Sequence, residues 1–267
     1  MILVFDVGNT ETTVGLYGAD ALESHWRLPT VAERTPDELM LMIRQLLAVR
    51  DVAPAAVQGT ALGSVVPAVT GPLSDACVMC FGKPPVVVDA AAPLPIRLEV
   101  EEPLTVGADR IINTLAASRL YGRDTVVVDL GTATTFDCIT ADGVFLGGVI
   151  APGVRTSAET LFRRTSKLPA TELRAPTKVI GTRTEECIRA GVVFGAADAV
   201  DGIVRRIIRA WPRPVQPLVV ATGGLAETIR PFCETIEVVA PHLTLDGLRM
   251  AYDLIRSARV ASPPANG

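Results

Sequence analysis

The chain has 267 residues, of which 49% are apolar, 20% are charged and 4% are aromatic, and its formal net charge is −4. The length indicates one large domain or two of ordinary size. The apolar fraction excludes a disordered chain. The weak negative charge and the few aromatic residues argue against nucleic-acid binding. No apolar stretch is long enough to span a bilayer, the start MILVFD does not resemble a signal peptide, and an odd number of cysteines does not suggest a disulfide framework. We therefore expect a cytoplasmic protein without a nucleic-acid or membrane partner.

The first half of the chain begins with a predicted hairpin. The apolar run Ile2 to Phe5 predicts a strand that ends at Asp6, and a second run from Thr13 to Tyr17 follows a turn with glycine and asparagine. A helix is predicted from Thr35, which can cap it, because Pro36 suits the first helical position. The other predicted elements of this half are strands at 59–66 and 86–89 and a helix that ends at Gly122.

The pattern then restarts. Residues 125–128 predict a strand that ends at Asp129, and VVDLGTATTF from Val127 matches VFDVGNTETT from Val4 in the order apolar-apolar-Asp-apolar-Gly. We interpret this match as an internal repeat of domain size, with a first half at 1–122 and a second half at 123–260. Further predictions for the second half are strands at 144–150 and 218–221, helices at 184–211 and from Thr244, and a disordered tail at 261–267. Alternating strands and helices indicate an α/β protein with mixed sheets.

Each copy of the repeat places an Asp-x-Gly turn with hydroxyl side chains after a strand. Glycine lets the backbone turn tightly near a ligand, hydroxyl and backbone N–H groups donate to phosphate oxygens, and a carboxylate can hold a cation. An ordinary hairpin turn is the alternative for one copy alone, whereas two matched copies favour a phosphate site. The sets are Asp6, Gly8, Asn9, Thr10, Thr12 and Thr13 in the first copy, and Asp129, Gly131, Thr132, Thr134 and Thr135 in the second.

Two shorter motifs are candidates for the rest of a site. An apolar strand leads into Gly223 and Gly224, where missing side chains let a flat ring approach the backbone. VGADR, residues 106–110, directly precedes a helical pattern and places Asp109 near a helix N-terminus, which stabilises a carboxylate. Taken singly, the first is also consistent with a plain strand-to-helix turn and the second with a helix cap.

Four motifs in chain order resemble those of the type III pantothenate kinases: DVGNT at Asp6, GADR at Gly107, DLGTATT at Asp129 and GG at Gly223. SVVP (64–67), GGVIAPG (147–153) and WRLPT (26–30) are also similar to that family. The family belongs to the actin-like, sugar-kinase-like ATPase superfamily. The resemblance therefore implies two ribonuclease-H-like domains with mixed sheets flanked by helices.

The resemblance also implies a reaction, the ATP-dependent phosphorylation of pantothenate to 4′-phosphopantothenate, which is the first step of coenzyme A synthesis. Asp109 would be the proton acceptor, and a carboxylate of ordinary pKa, about 4, is ionised at neutral pH. Asp6 would face magnesium, and Asp129 would hold a monovalent cation, potassium or ammonium. The implied ATP-binding residues are Asp6, Val7, Gly8, Asn9, Thr10, Glu11, Thr12, Thr13 and Thr132. The implied pantothenate-binding residues are Gly107, Ala108, Asp109, Arg110 and Thr184.

The long predicted helix from Thr184 is apolar on more than one face. One face can cover its own sheet, and the remainder needs a partner. The resemblance implies a homodimer, so we expect a twofold dimer in which this helix takes part.

Two positions depart from the resembled family, which commonly has tyrosine in place of Val100 and asparagine in place of Arg183. These departures keep a second hypothesis open, a non-catalytic nucleotide-binding regulatory protein of the same fold. A third hypothesis is a phosphohydrolase on the same scaffold, with water as the acceptor. The presence of Asp6, Asp109 and Asp129 favours the kinase.

Overall fold

A computed structural model describes residues 1–19 and 21–261, which divide into two compact units. Unit 1 comprises residues 1–116 together with the chain from residue 243, and unit 2 comprises residues 117–242. Strands and helices are numbered below in chain order. None of the helices in the described ranges combines the length and apolar character needed to cross a membrane.

Unit 1 is built on a five-stranded sheet of order β3-β2-β1-β4-β5. Its strands are β1 (Ile2–Val7), β2 (Glu11–Tyr17), β3 (Leu22–Pro29), β4 (Gly59–Ser64) and β5 (Val86–Val88), and a two-residue strand, β6 (Arg97–Leu98), follows. Its helices are α1 (Pro36–Ala48), α2 (Pro67–Phe81), the first part of α3 (Ala108–Tyr121) and α7 (Leu243–Ala261), with single 3₁₀ turns at Pro54–Ala56 and Pro103–Thr105.

Unit 2 contains strands in the order β11-β10-β7-β8-β9. They are β7 (Thr125–Leu130), β8 (Ala133–Ile139), β9 (Val144–Pro152), β10 (Leu218–Thr222) and β11 (Val238–Val239). The helices are α4 (Val154–Arg164), α5 (Thr184–Arg209) and α6 (Ala226–Ile229), and a 3₁₀ turn spans Arg230–Phe232.

The internal repeat is present in the topology. In unit 1, β1 is antiparallel to β2 and parallel to β4, and in unit 2, β7 is antiparallel to β8 and parallel to β10. The outer strands repeat this relation, because β3 and β9 are antiparallel to their neighbours whereas β5 and β11 are parallel to theirs. The five strands of unit 1 and the five strands of unit 2 therefore follow the same order, which places β1 and β7 at equivalent central positions.

Strand alternation divides the core of unit 1 into two layers. Leu3 and Phe5 of β1 pack in a cluster with α1 and α2, whereas Ile2 and Val4 point to the opposite face. Because successive side chains of a strand point to opposite faces, a central strand buried on both sides has a continuous apolar run. The opposite face is covered by α3 and α7.

The C-terminal helix α7 differs in position from the sequence prediction, which assigned it to the second half. Leu245 and Leu248 of α7 pack with Ile2 and Val4 of β1, and the Tyr17 hydroxyl of β2 donates a 2.6 Å hydrogen bond to Asp246. The boundary between the units also falls inside α3 and not after Gly122. Ala261 is the last residue of α7, and residues 262–267 of the predicted tail lie outside the described ranges.

The start of α1 gives a first testable prediction. The Thr35 hydroxyl accepts a 3.3 Å bond from the backbone N–H of Glu38, and the Glu38 carboxylate accepts a 2.8 Å bond from the N–H of Thr35. We expect Thr35→Ala to lower the free energy of unfolding by about 1 kcal/mol, because it removes one half of this capping box. Thr35→Ser keeps the hydroxyl and is the control. Urea unfolding of the three proteins measures the effect, and equal stability of all three would contradict it.

Candidate active site

The first predicted turn joins β1 to β2. Asp6 is half-buried near the end of β1 and lies opposite Thr13, and the pairing closes with Val7 opposite Thr12. The backbone N–H of Gly8 donates a 3.0 Å bond to the carbonyl of Glu11. Asn9 and Thr10 are exposed at the tip of the turn. The hairpin therefore presents an amide, a hydroxyl and backbone groups beside a carboxylate.

Thr30, just past the end of β3, braces this turn from behind. Its hydroxyl donates a 2.7 Å bond to the carbonyl of Gly8, and its backbone N–H donates a 3.0 Å bond to the carbonyl of Thr10. The hydroxyls of Thr12 and Thr30 lie 2.8 Å apart. These bonds engage carbonyls of the turn and so fix the direction of its peptide planes. The WRLPT motif thus acquires a structural role that the sequence prediction did not assign to it.

The second turn joins β7 to β8 in the same way but is one residue shorter. Asp129 lies opposite Thr135, Leu130 lies opposite Thr134, and the N–H of Gly131 donates a 3.1 Å bond to the carbonyl of Ala133. Gly131 and Thr132 are exposed, whereas Asp129 is half-buried. The matched aspartates of the two predicted sets therefore occupy equivalent strand positions, each in its own unit.

Helix α4 begins against the second turn. Gly153 directly precedes the helix, and a Cβ atom on it would lie 2.1 Å from the carbonyl oxygen of Thr132 and 2.7 Å from that of Gly131. The Thr156 hydroxyl, in the first turn of the helix, donates a 2.7 Å bond to the Thr132 carbonyl. The positive end of the helix dipole is therefore directed at the turn, and only glycine fits at the point of contact.

Gly223 packs against Asp129 at the end of β10. Its φ angle is +89°, and a Cβ atom there would lie 2.5 Å from Asp129 Oδ1 and 2.8 Å from the backbone nitrogen of Leu130. A side chain at this position would be both strained and in collision with the turn. Gly223, one of the two glycines predicted to let a ligand approach, therefore makes room for the Asp129 carboxylate.

The GADR motif forms the beginning of α3 in unit 1. The Gly107 carbonyl accepts the first backbone bonds of the helix, from the N–H groups of Arg110 (3.1 Å) and Ile111 (3.2 Å). Asp109 Oδ1 accepts a 2.8 Å bond from the N–H of Arg110. A Cβ atom on Gly107 would lie 3.4 Å from Val65 Cγ1, just past the end of β4. Because β4 runs parallel to β1, both strands end on the same side of the sheet. Asp6, near the end of β1, and the start of α3 with Asp109, next to the end of β4, therefore lie on that side.

Burial raises the pKa of the Asp109 carboxyl above its ordinary value, and the N–H and the positive charge of Arg110 oppose that shift. The expectation of an ordinary pKa is therefore corrected. Desolvation disfavours the charged form, so the Asp109 carboxylate is a stronger base than an exposed aspartate. A carboxyl whose pKa is raised by burial is typical of proton-transfer sites.

Thr184 is the first residue of α5 in unit 2 and is exposed. The Glu186 carboxylate holds this helix start, because it accepts bonds from the N–H groups of Thr182 (2.9 Å) and Arg183 (3.2 Å) and lies 2.9 Å from the Lys178 ammonium. These bonds lower the pKa of Glu186 to about 2. Thr184 therefore belongs to unit 2, whereas the GADR residues that share its predicted role belong to unit 1.

Comparison with solved structures supports the fold. The activator of 2-hydroxyisocaproyl-CoA dehydratase from Clostridium difficile is 12% identical, with a TM-score of 0.58, and the match covers 100% of this chain and 99% of that one. A ROK hexokinase from Thermus thermophilus is 15% identical, with a TM-score of 0.50 and coverage of 96% and 99%. The chain therefore has the fold of the actin-like ATPases and sugar kinases, as the sequence predicted.

Comparison of sequences gives the family. A type III pantothenate kinase from Roseiflexus castenholzii is 44% identical over 96% of this chain and 100% of its own length. One from Desulfatibacillum aliphaticivorans is 41% identical over 97% of this chain and 100% of its own length. The family model of type III pantothenate kinase matches residues 2–206, a range that contains both turns and the GADR motif. This chain belongs to the type III pantothenate kinase family.

Proposed function

We propose that the chain transfers the γ-phosphoryl group of ATP to pantothenate and forms 4′-phosphopantothenate, the first step of coenzyme A synthesis. The observation that carries this proposal is the pair of equivalent Asp-x-Gly turns, accompanied in unit 1 by a half-buried carboxylate at the start of α3. Family membership supports the same reaction. Phosphoryl transfer needs hydrogen-bond donors that hold the phosphates, groups that stabilise the developing charge, and a group that aligns the acceptor hydroxyl. The two turns are candidates for the first two tasks, and the carboxylate at the start of α3 is a candidate for the third.

The two turns are proposed to bind ATP. Thr10 and Thr132 are exposed at the tips of the turns. Hydroxyl or N–H groups donate to the turn carbonyls of Gly8, Thr10 and Thr132. Such bracing holds the turns rigid, so little ordering is needed when phosphate binds. The proposed ATP-binding residues are Asp6, Val7, Gly8, Asn9, Thr10, Glu11, Thr12, Thr13 and Thr132.

The GADR residues are proposed to bind pantothenate, with Asp109 as the proton acceptor. The transition state of phosphoryl transfer is loose, so the acceptor hydroxyl has to be aligned and its proton is taken late. Asp109 suits this role because α3 fixes its backbone and burial strengthens it as a base. The proposed substrate-binding residues are Gly107, Ala108, Asp109, Arg110 and Thr184.

Two carboxylates are suited to cations. Asp6 and Asp129 offer hard oxygen ligands, which magnesium and potassium prefer. The backbone of Gly223 lies so close to Asp129 Oδ1 that a Cβ atom at position 223 would not fit. We propose that Asp6 faces magnesium and that Asp129 holds potassium or ammonium. Bound cations at these places neutralise phosphate charge.

The monovalent cation is testable directly. A monovalent cation held by the Asp129 carboxylate would neutralise phosphate charge, so we expect kcat to depend on potassium or ammonium and to be largely lost when sodium is the only monovalent cation. Initial rates in buffers of equal ionic strength measure this dependence. Equal rates in sodium and potassium would contradict it. Magnesium is held constant throughout as the control.

The assembly is proposed to be a twofold dimer in which α5 takes part. Unit 2 exposes apolar side chains just before this helix, with Val179 71% and Ile180 83% exposed, and Leu161 of α4 is 39% exposed. Val179 and Ile180 are neighbours in the chain, and adjacent exposed apolar side chains are typical of interaction surfaces. We expect light scattering at micromolar concentration to give twice the monomer mass of 28.2 kDa. A monomer mass would contradict the proposal.

The alternative functions are separated by one assay. A non-catalytic nucleotide-binding protein would release no ADP with or without pantothenate, and a phosphohydrolase would release it at the same rate in both cases. The kinase predicts ADP release that requires pantothenate.

We also place the protein in the cytoplasm, which is supported by its odd number of cysteines.

A further inference from the structure

A polar side chain of α3 is buried where this helix contacts α7 in unit 1. Asn113 of α3 is 1% exposed. Its helix neighbours Ile112 and Leu115 belong to an apolar cluster that also contains Leu245 and Leu248 of α7. Asparagine is costly in such a place unless its amide is fully hydrogen-bonded.

Only one side of this amide is satisfied by the protein. Asn113 Oδ1 accepts a 3.0 Å bond from the Thr244 hydroxyl of α7, whereas Nδ2 is buried and has no hydrogen-bond partner among the described residues. An unsatisfied buried donor costs about 1–3 kcal/mol. A leucine of similar size would avoid that cost, so stability of the fold does not explain the asparagine.

Asn113 lies four residues after Asp109 on α3. Residues at this spacing are neighbours on one helix face, with Cβ atoms about 5–6 Å apart, and helical side chains lean toward the N-terminus. The Asn113 side chain therefore extends toward the helical turn that carries Asp109. One water molecule making two hydrogen bonds of about 2.8 Å spans such a gap. Buried waters characteristically satisfy polar groups that the protein leaves without a partner.

We propose that Asn113 is a positioning residue whose Nδ2 donates, through one buried water, to the carboxylate of Asp109 and fixes its direction. The inference rests on the proposed function, in which Asp109 accepts the proton of pantothenate. The backbone N–H of Arg110 already holds Asp109 Oδ1 at 2.8 Å. A second donor from the next helical turn restricts rotation of the carboxylate about its own axis, which a single bond leaves free.

The test removes the amide without leaving a new unsatisfied group. Asn113→Leu combined with Thr244→Val replaces both hydrogen-bonding partners by apolar groups, which is close to neutral for stability. We expect kcat to fall about 10- to 10²-fold, the scale for a misplaced catalytic group, with KM for ATP unchanged. Thr114→Val is the matched control, because it removes another buried hydroxyl of α3, which bonds the Arg110 carbonyl at 2.8 Å. Asn113→Ala provides a second variant if the leucine is not accommodated.

A double-mutant cycle with Asp109→Asn decides whether Asn113 acts through Asp109. If it does, removing the amide has no further effect on kcat once the carboxylate is gone. An equal loss in both backgrounds, or no loss in either, would overturn the inference while leaving the catalytic assignment of Asp109 intact. Unchanged kcat in Asp109→Asn alone would instead overturn the proposed role of Asp109, and the inference with it.

Discussion

Asp109→Asn is expected to lower kcat by about 10²- to 10⁴-fold, the usual scale for loss of a general base. Asparagine keeps the shape of the side chain and a hydrogen bond to the acceptor hydroxyl but cannot take its proton. The affinity for ATP should change little, because the proposed ATP contacts lie in the two turns. Steady-state kinetics with both substrates varied separates these effects. A variant with unchanged kcat would refute the catalytic assignment.

The stability of the same variant distinguishes catalysis from helix capping. The folded state raises the pKa of Asp109, so it binds a proton more tightly than the unfolded chain does, and ionisation of Asp109 costs stability as pH rises through that raised pKa. Asparagine removes this cost, and we expect the melting temperature at neutral pH not to fall. A purely structural role predicts the opposite, a loss of about 1 kcal/mol with normal turnover.

Asp37→Asn is the matched control for this experiment. Asp37 is the second residue of α1, as Asp109 is of α3, but it is exposed. Loss of its charge removes the same interaction with a helix dipole, worth about 0.3–1 kcal/mol, and should leave kcat unchanged. In the unaltered enzyme, kcat/KM for pantothenate should fall toward acid pH with an apparent pKa above that of an ordinary aspartate, because the Asp109 carboxyl of the free enzyme has to be ionised.

Gly153→Ala is expected to reduce kcat/KM for ATP by about 10²-fold or more. The new Cβ would lie 2.1 Å from the Thr132 carbonyl oxygen, so the turn or the start of α4 has to move. The neighbouring atoms are backbone and cannot rotate away, and a displacement of about 1 Å in a positioning element is sufficient for such a loss. Overpacking should also lower the free energy of unfolding by about 1–3 kcal/mol.

Gly191→Ala controls for the chemical change itself. Gly191 is exposed in α5, and a Cβ atom there has no heavy atom within 4 Å. Alanine is favoured over glycine in a helix by about 0.5–1 kcal/mol, so this variant should be slightly more stable. If Gly153→Ala binds ATP as the unaltered protein does and turns over normally, the proposed role of the second turn is wrong.

Features encoded over a few residues could be predicted from the sequence. The helix cap at Thr35 and the hairpin after Asp6 depend on neighbouring side chains and backbone preferences, and both are confirmed. The internal repeat was also predictable, because one strand–turn–strand pattern occurs twice, and five strands follow the same order in each unit. The roles of the residues in these turns stay predictions.

Features that depend on distant packing could not be predicted. The position of α7 follows from the fit of Leu245 and Leu248 against β1, more than 200 residues earlier in the chain. The bracing of the first turn by Thr30 depends on β3, a strand that alternates half-buried and exposed residues and has no continuous apolar run. The raised pKa of Asp109 is likewise a property of burial, which the GADR motif does not encode.

The most direct test of the proposed function follows the phosphoryl group itself. The purified protein is incubated with γ-labelled ATP, magnesium and potassium, with and without pantothenate, and the products are separated. The proposed kinase transfers the label to pantothenate, with one phosphopantothenate formed for each ADP and no turnover when pantothenate is omitted. Label released as inorganic phosphate irrespective of pantothenate, or no ADP under either condition, would contradict the kinase.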